Sequence, residues 1–207
     1  MGRVELKKQQ KRDALMKSAY DLFISQGFTS TTIRDIALRA GVAKGTFYLY
    51  FKDKTDIREA VIRSTAGNLL REASSKLDER IRSGEDALEV ADIFIYIIDY
   101  LVESVAKDKL LVRFISKHLS WGMFSSGAAG RGHNHSDEMD VEGFVISKLA
   151  EYNVRIKDLK LLIFTLLELV SSTCHDVILY QKPISLEEYK PYLNNCIRLL
   201  VNNSIAE

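Results

Sequence analysis

Ile33-Arg-Asp-Ile-Ala-Leu-Arg-Ala-Gly-Val-Ala-Lys-Gly-Thr-Phe-Tyr-Leu-Tyr-Phe51 reads as two short helices pinched around a glycine. Ile36, Ala40, Val42, Phe47 and Tyr50 are apolar where two such helices must pack together, and Ala37 is small where they cross. Gly41 stands where the turn calls for a positive φ, which costs a glycine nothing. That packing leaves Ala43, Lys44, Gly45, Thr46 and Tyr48 at or near the start of the second helix, the part of a helix-turn-helix that enters a major groove. The stretch therefore predicts a DNA-reading unit.

A chain of 207 residues holds one good-sized domain, or a small one fused to a larger one. With 46% hydrophobic and 28% charged residues its composition is that of an ordinary soluble globular protein, and two prolines in the whole length point to nearly all helix. The net charge of +1 hides an asymmetry: residues 1–60 carry 12 Lys and Arg against 7 Asp and Glu, while the rest carry 17 against 21. A basic head on an acidic body assigns any polyanion to the head. Cys174 and Cys196 make no disulfide framework, which fits a reducing compartment. The first residues lack the apolar core of a signal peptide, and Leu6 stands where a myristoylation motif needs Ser or Thr. Leu161–Val170, the densest apolar stretch, is too short to span a bilayer. A cytoplasmic protein without membrane attachment is expected.

Helical spacing of Leu15, Ala19, Leu22 and Phe23 predicts a helix over Lys7–Gln26, ended by Gly27. Thr29–Thr32 offers N-caps for the next helix, and the recognition helix is expected from about Ala43 to Phe51. Asp53 should cap a long helix reaching Ile81, and apolar residues restart at Leu88. Further helices are expected over Lys109–Trp121, Met139–Glu151, Ile156–Gln181 and, opened by a Ser185/Glu188 capping box, to about Asn203. Pro191 should kink or unwind the first turns of the last one. Residues 122–138 have no period and four glycines, so they are expected to form a loop. The fold class is all-α with about nine helices. A helix-turn-helix domain over 8–52 precedes a ligand-binding and dimerisation domain over 53–207.

The penultimate helix is apolar nearly all round, so it should be buried on two sides, against its own domain and against a second copy. With the last helix it would supply half of a four-helix bundle between two chains. Leu159, Ile163, Leu166, Val170, Val177, Leu193, Ile197 and Leu200 are the candidate interface. In the head, Thr31 or Thr32 can cap the first helix of the pair and offer a hydroxyl to phosphate, and Arg34 lies on its exposed side. Gly45 lets backbone approach the duplex, and Thr46 can meet a base edge or a thymine methyl. Tyr48 and Tyr50 have rings that pack and hydroxyls that reach phosphates, while Lys54 puts an ammonium at the start of the following helix.

Phe28–Lys54 followed by Ile57 resembles the N-terminal domain of the tetracycline-repressor (TetR) family, over about residues 11–61. The resemblance implies a homodimer on a palindromic double-stranded DNA operator, with a helical body that binds a small molecule and moves the heads apart. It also implies that Thr32, Tyr48, Tyr50 and Lys54 meet phosphates, with Arg34, Lys44 and Thr46 nearer the bases. Ala43 stands where the family often has Ser, which leaves it a thymine-methyl contact rather than a capping hydroxyl.

The body is rich in aromatic residues, which suits an apolar or aromatic effector. Phe94, Tyr100, Phe114, His118, Trp121, Phe164 and Cys174 are the candidate ligand residues, with His118 and Trp121 at the pocket mouth. His133, His135 and Asp137 lack the spacing of a zinc site, so no metal or cofactor is expected. No nucleophile, paired-carboxylate or phosphate-loop arrangement has usable spacing, which argues against an enzyme. A ligand-responsive transcriptional repressor is the leading expectation. An effector-independent DNA organiser with the same head, such as a division or nucleoid factor, is the alternative.

Overall fold

The computed structural model describes residues 2–83, 88–115 and 141–206. Nine α-helices and an isolated backbone bridge make up their regular structure. They divide into two compact units, residues 1–64 and 65–207, so the division falls within a helix. The first residues of that helix belong to the head because its buried Ile57, Ala60 and Val61 are part of the head's apolar interior.

In the head, α1 (Arg3–Gln26), α2 (Ile33–Arg39) and α3 (Lys44–Phe47) are followed by the start of α4 (Lys54–Ser83). Leu15, Ala19 and Phe23 of α1, Ile36 and Ala37 of α2 and Phe47 of α3 are buried, as the apolar spacing requires. Each large side chain among them contributes about 1.5–3 kcal/mol relative to exposure. Gly27 ends α1 at φ 84° and Gly41 turns the chain at φ 68°, conformations that an L side chain adopts only under strain. Of the two threonines offered as caps, Thr32 does the work: its hydroxyl accepts from the Asp35 N–H at 3.1 Å, and the Asp35 carboxylate accepts from the Thr32 N–H at 2.9 Å. Asp53 caps α4 through Oδ1, which accepts from the N–H groups of Thr55 and Asp56 at 2.8 and 2.9 Å. The recognition helix is shorter than the spacing suggests. Beyond Phe47 the chain continues in turns, with the N–H groups of Leu49 and Tyr50 bonded to carbonyls three residues back. Its aromatic run loses rotamer freedom in a helix, and Gly45 adds its own entropic cost.

The body contains the rest of α4, α5 (Val90–Ala106), α6 (Lys109–Ile115), α7 (Val141–Glu151), α8 (Leu159–Tyr180) and α9 (Leu186–Ser204). Its core centres on Leu193, Ile197 and Val201 of α9, packed with Ala91, Phe94 and Val102 of α5 and Leu162, Leu166 and Cys174 of α8. The Ser185/Glu188 capping box forms, and α9 runs unbroken through Pro191, contrary to the expected unwinding. Helix α8 starts at Leu159, later than its apolar pattern, because the preceding backbone is spent elsewhere. Ile156 bridges Ile205, the Lys157 N–H donates to the Ser204 carbonyl, and the Ala206 N–H donates to the Arg155 carbonyl, both at 2.8 Å.

The eight residues expected at an interface face inward. Ile163, Leu166, Val177, Leu193 and Ile197 are buried in this one chain, and Leu159, Val170 and Leu200 pack half-buried on its core. The exposed apolar side chains of these two helices are instead Leu161, Phe164 and Tyr180 on α8 and Tyr192 and Leu199 on α9, each at least 45% exposed. At 22 residues α8 is long and apolar enough, by length and composition, to cross a bilayer, which revises the expectation drawn from its densest ten residues.

A polar ladder sets the register of α5 against α9. Arg198 donates to Asp92 at 2.6 Å, Asn194 to Asp99 at 3.1 Å, and Lys190 pairs with Asp99 at 3.6 Å and with Glu103. Numbers rise along α5 as they fall along α9, so the two helices are antiparallel. Half-exposed pairs of this kind contribute only about 0–1 kcal/mol each. Their value lies in alignment.

The Arg198 hydrogen bond holds Asp92 below the usual carboxylate range, and capping hydrogen bonds from Thr32 and Ser185 do the same for Asp35 and Glu188. Because these values are lowered in the folded state, their stabilisation is complete above the ordinary carboxylate pKa and is lost as pH falls through the folded values. The melting temperature is therefore expected to drop below about pH 4. Asp92→Asn should melt lower than the native chain at pH 7 and show a shallower fall on acidification, as followed by circular dichroism.

Candidate functional site

The head presents its second short helix from a buried anchor. Phe47 is fully buried, its ring 5.7 Å from that of Phe51 and 5.4 Å from that of Tyr48. Ala43, Lys44, Gly45, Tyr48 and Leu49 are exposed around it, while Thr46 and Tyr50 are half-buried. Gly45 has open space where a Cβ would stand, so nothing within this chain obstructs an approach to its backbone. Ala43 occupies the N-cap without a side-chain hydrogen bond, as expected of a residue with no hydroxyl. Thr32 and Arg34 are exposed on α2, and Thr32 holds its capping position.

Two expected contacts are otherwise engaged. Thr31 is fully buried, and its hydroxyl donates to the Gly27 carbonyl at 2.8 Å, so it joins the α1–α2 turn rather than a phosphate. The Lys54 ammonium donates to the carbonyls of Phe28 and Thr31 at 2.7 and 2.8 Å and lies 4.3 Å from the Phe28 ring centroid, a distance shared by the Arg58 guanidinium. Lys54 is a strut. A loop carbonyl is a partner that spacing along the chain does not reveal.

Two features went unassigned at the level of sequence. Leu49, given no role by its spacing, is 70% exposed beside Tyr48. Arg3, Lys7, Lys8 and Lys11 are exposed along the first half of α1. Their signal was present in the head's positive charge, but a charge sum names no residue.

The body encloses a cavity of about 180 Å³, lined by residues of α4, α5, α6, α7 and α8. Of the expected ligand residues, Phe94 and Cys174 line it; burial pushes the Cys174 thiol up to about 11, so it is neutral at physiological pH. Phe114 is buried without lining the cavity, and Phe164 points outward from α8. Tyr100 lines a separate polar cleft with Tyr96 and Asp99, and its hydroxyl donates to Glu72 at 3.4 Å. His118 and Trp121, like the 122–138 segment with His133, His135 and Asp137, lie outside the described residues. Ser171, His175 and Lys148 line the cavity as well. Lys148 was overlooked because a lysine on a short amphipathic helix ordinarily reads as solvated surface.

A helix-turn-helix head followed by an all-helical body with an apolar cavity defines a class of DNA-binding regulators. Residues 15–61 match the family of bacterial regulatory proteins described as tetR family. An uncharacterized HTH-type transcriptional regulator, YvdT of Bacillus subtilis, is 35% identical over 85 residues, 41% of this chain and 42% of that one. The HTH-type transcriptional repressor BepR of Brucella suis is 34% identical over 62 residues, 30% of each chain. The matched region thus spans less than half the length of these curated relatives. Thermus thermophilus FadR, a TetR-family transcriptional repressor solved in complex with lauroyl-CoA, superposes with a TM-score of 0.58 at 23% identity, covering 91% of this chain and 93% of that one. The likeness extends the shared fold across the body.

Lys54→Met is expected to cost about 2 kcal/mol of stability while leaving the slope of log K against log salt for DNA binding unchanged. Lys44→Ala should leave the melting temperature in place and reduce that slope by about one. Thermal melts and salt titrations of duplex binding check the pair.

Proposed function

We propose that the protein is a transcriptional repressor that binds a palindromic operator as a homodimer in the cytoplasm and releases it when a small apolar or aromatic effector occupies the body cavity. The exposed Lys44, Gly45 and Tyr48, with half-buried Thr46 among them, carried beside buried Phe47, are the observation that supports DNA reading most directly. Arg34 and Lys44 serve base edges and nearby phosphates, Thr32, Tyr48 and Tyr50 serve the backbone, and Ala43 offers a methyl to thymine. The basic residues of α1 add sequence-independent attraction.

A homodimer is supported by the exposed apolar side chains of α8 and α9, among them Leu161, Tyr192 and Leu199. A second copy covers them symmetrically and completes a four-helix bundle. Two recognition helices then have to reach successive major grooves about 34–36 Å apart. An effector that prefers another spacing releases DNA by its differential affinity for the two arrangements. The cavity favours this reading over an organiser without an effector, which has no use for it.

Binding-site selection from random duplexes at fixed salt is expected to return a palindrome with half-sites one helical turn apart; salt-sensitive binding with no enriched sequence would leave only a non-specific DNA binder. Leu161→Glu combined with Phe164→Glu should give a folded monomer by light scattering and circular dichroism. A folded dimer carrying both charges would place the interface elsewhere.

A further inference from the structure

Leu49 is a large aliphatic side chain left 70% exposed on the turn that follows α3. Two successive hydrogen bonds fix where it stands: the Thr46 N–H donates to the Ala43 carbonyl at 2.8 Å, and the Leu49 N–H donates to the Thr46 carbonyl at 3.2 Å. Residues three apart in such turns share a face, so Ala43, Thr46 and Leu49 form one row, and each of the three carries a methyl group. Ala43 and Leu49 are exposed and Thr46 is half-buried. Lys44 and Tyr48, four apart and both exposed, make a neighbouring row that carries the ammonium and the hydroxyl. Gly45 lies between the rows with open space where a Cβ would stand, which leaves room for a base edge there.

The composition of this turn narrows what it can read. From Ala43 to Leu49 there is no Arg, Asn, Gln, Asp or Glu, the side chains that make bidentate or accepting contacts to guanine, adenine and cytosine edges. Lys44 is its one charged residue. The C5 methyl of thymine is the apolar group that base pairs display in the major groove. A leucine exposed elsewhere on a protein needs no explanation. On a surface that loses its water against DNA, it has neither charge nor hydrogen bond to give a phosphate and gains only where it meets carbon.

We propose that Leu49 is a specificity-determining residue and that the row of Ala43, Thr46 and Leu49 reads thymine methyl groups, so that the operator half-site is recognised through carbon as well as through hydrogen bonds. This rests on the head being the DNA-reading unit. Six residues at about 1.5–2.0 Å each extend about 9–12 Å, room for about three base-pair steps of roughly 3.4 Å. The contacted thymines therefore lie on adjacent base pairs, on either strand.

The test uses the full chain and a duplex recovered by selection from random DNA at fixed salt. Each thymine of one half-site is replaced in turn by deoxyuridine, which keeps the base pair and lacks only the C5 methyl. Uracil at the contacted positions is expected to weaken binding about three- to five-fold each, the worth of one buried methyl group, and uracil elsewhere to leave it unchanged. Leu49→Ala should keep the melting temperature, since the side chain is exposed. It should weaken the thymine duplex by a similar factor and abolish the uracil effect at one position while the others persist, a coupling that a merely structural role would not produce. Uracil duplexes bound as tightly as thymine duplexes at every position, or uracil effects identical in Leu49→Ala and the native chain, overturn the proposal and leave the head a DNA reader by other contacts. Binding with no enriched sequence overturns it as well. Failure of the native chain to bind any duplex overturns the proposal and the DNA-reading assignment together.

Discussion

Burial of the Phe47 ring is the constraint on which the DNA-reading surface depends. A four-residue helix has no stability of its own, because nucleation costs more than one hydrogen-bonded turn returns. With Phe47 fully buried and Phe51 against it, the backbone on either side is held without help from its own propensity. Gly41 sets the angle at which the chain enters, and Thr32 sets where the preceding helix begins. The strut from Lys54 to the carbonyls of Phe28 and Thr31 closes the arrangement from the other side. Lys44 and Tyr48 are exposed because their neighbour is not.

The body solves a different problem. Its helices must surround a cavity and still hold their register, and apolar contacts alone tolerate sliding. Asp92, Asp99 and Glu103 facing Arg198, Asn194 and Lys190 supply that register as directional bonds. The bridge between Ile156 and Ile205 does similar work where α8 begins, using backbone only. The Lys148–Asp78 pair, at 2.6 Å between α7 and α4, belongs to this group by geometry.

Much of this was legible in the chain. Helix periods, the stops at Gly27 and Gly41 and the caps at Thr32, Asp53 and Ser185 are local, and local chemistry is written in neighbouring residues. What eluded the reading was long-range. Thr31 and Lys54 look like phosphate ligands until the loop carbonyls they satisfy are seen. Residues 163, 166, 177, 193 and 197 are buried within the chain itself, and a helix apolar all round carries no mark of which side is inward. Phe94 and Cys174 were found among the cavity residues, but Lys148 was not, because its burial comes from elements distant in sequence. Pro191 warned of a break that the packing of α9 overrides.

The head separates the residues that hold it together from those that face outward. Thr31, Ile36, Gly41 and Phe47 cannot change without loss of the scaffold, whereas positions 43, 44, 45 and 48 are exposed, and a side chain added at Gly45 meets nothing in the chain itself. On the proposed function, substitution at the outward positions alters what is recognised, and it leaves folding free energy nearly untouched. A gene duplicate can therefore drift to new target promoters by single steps, each passing through a folded protein. Divergence of regulatory circuits is cheap here because specificity and stability are written in different residues.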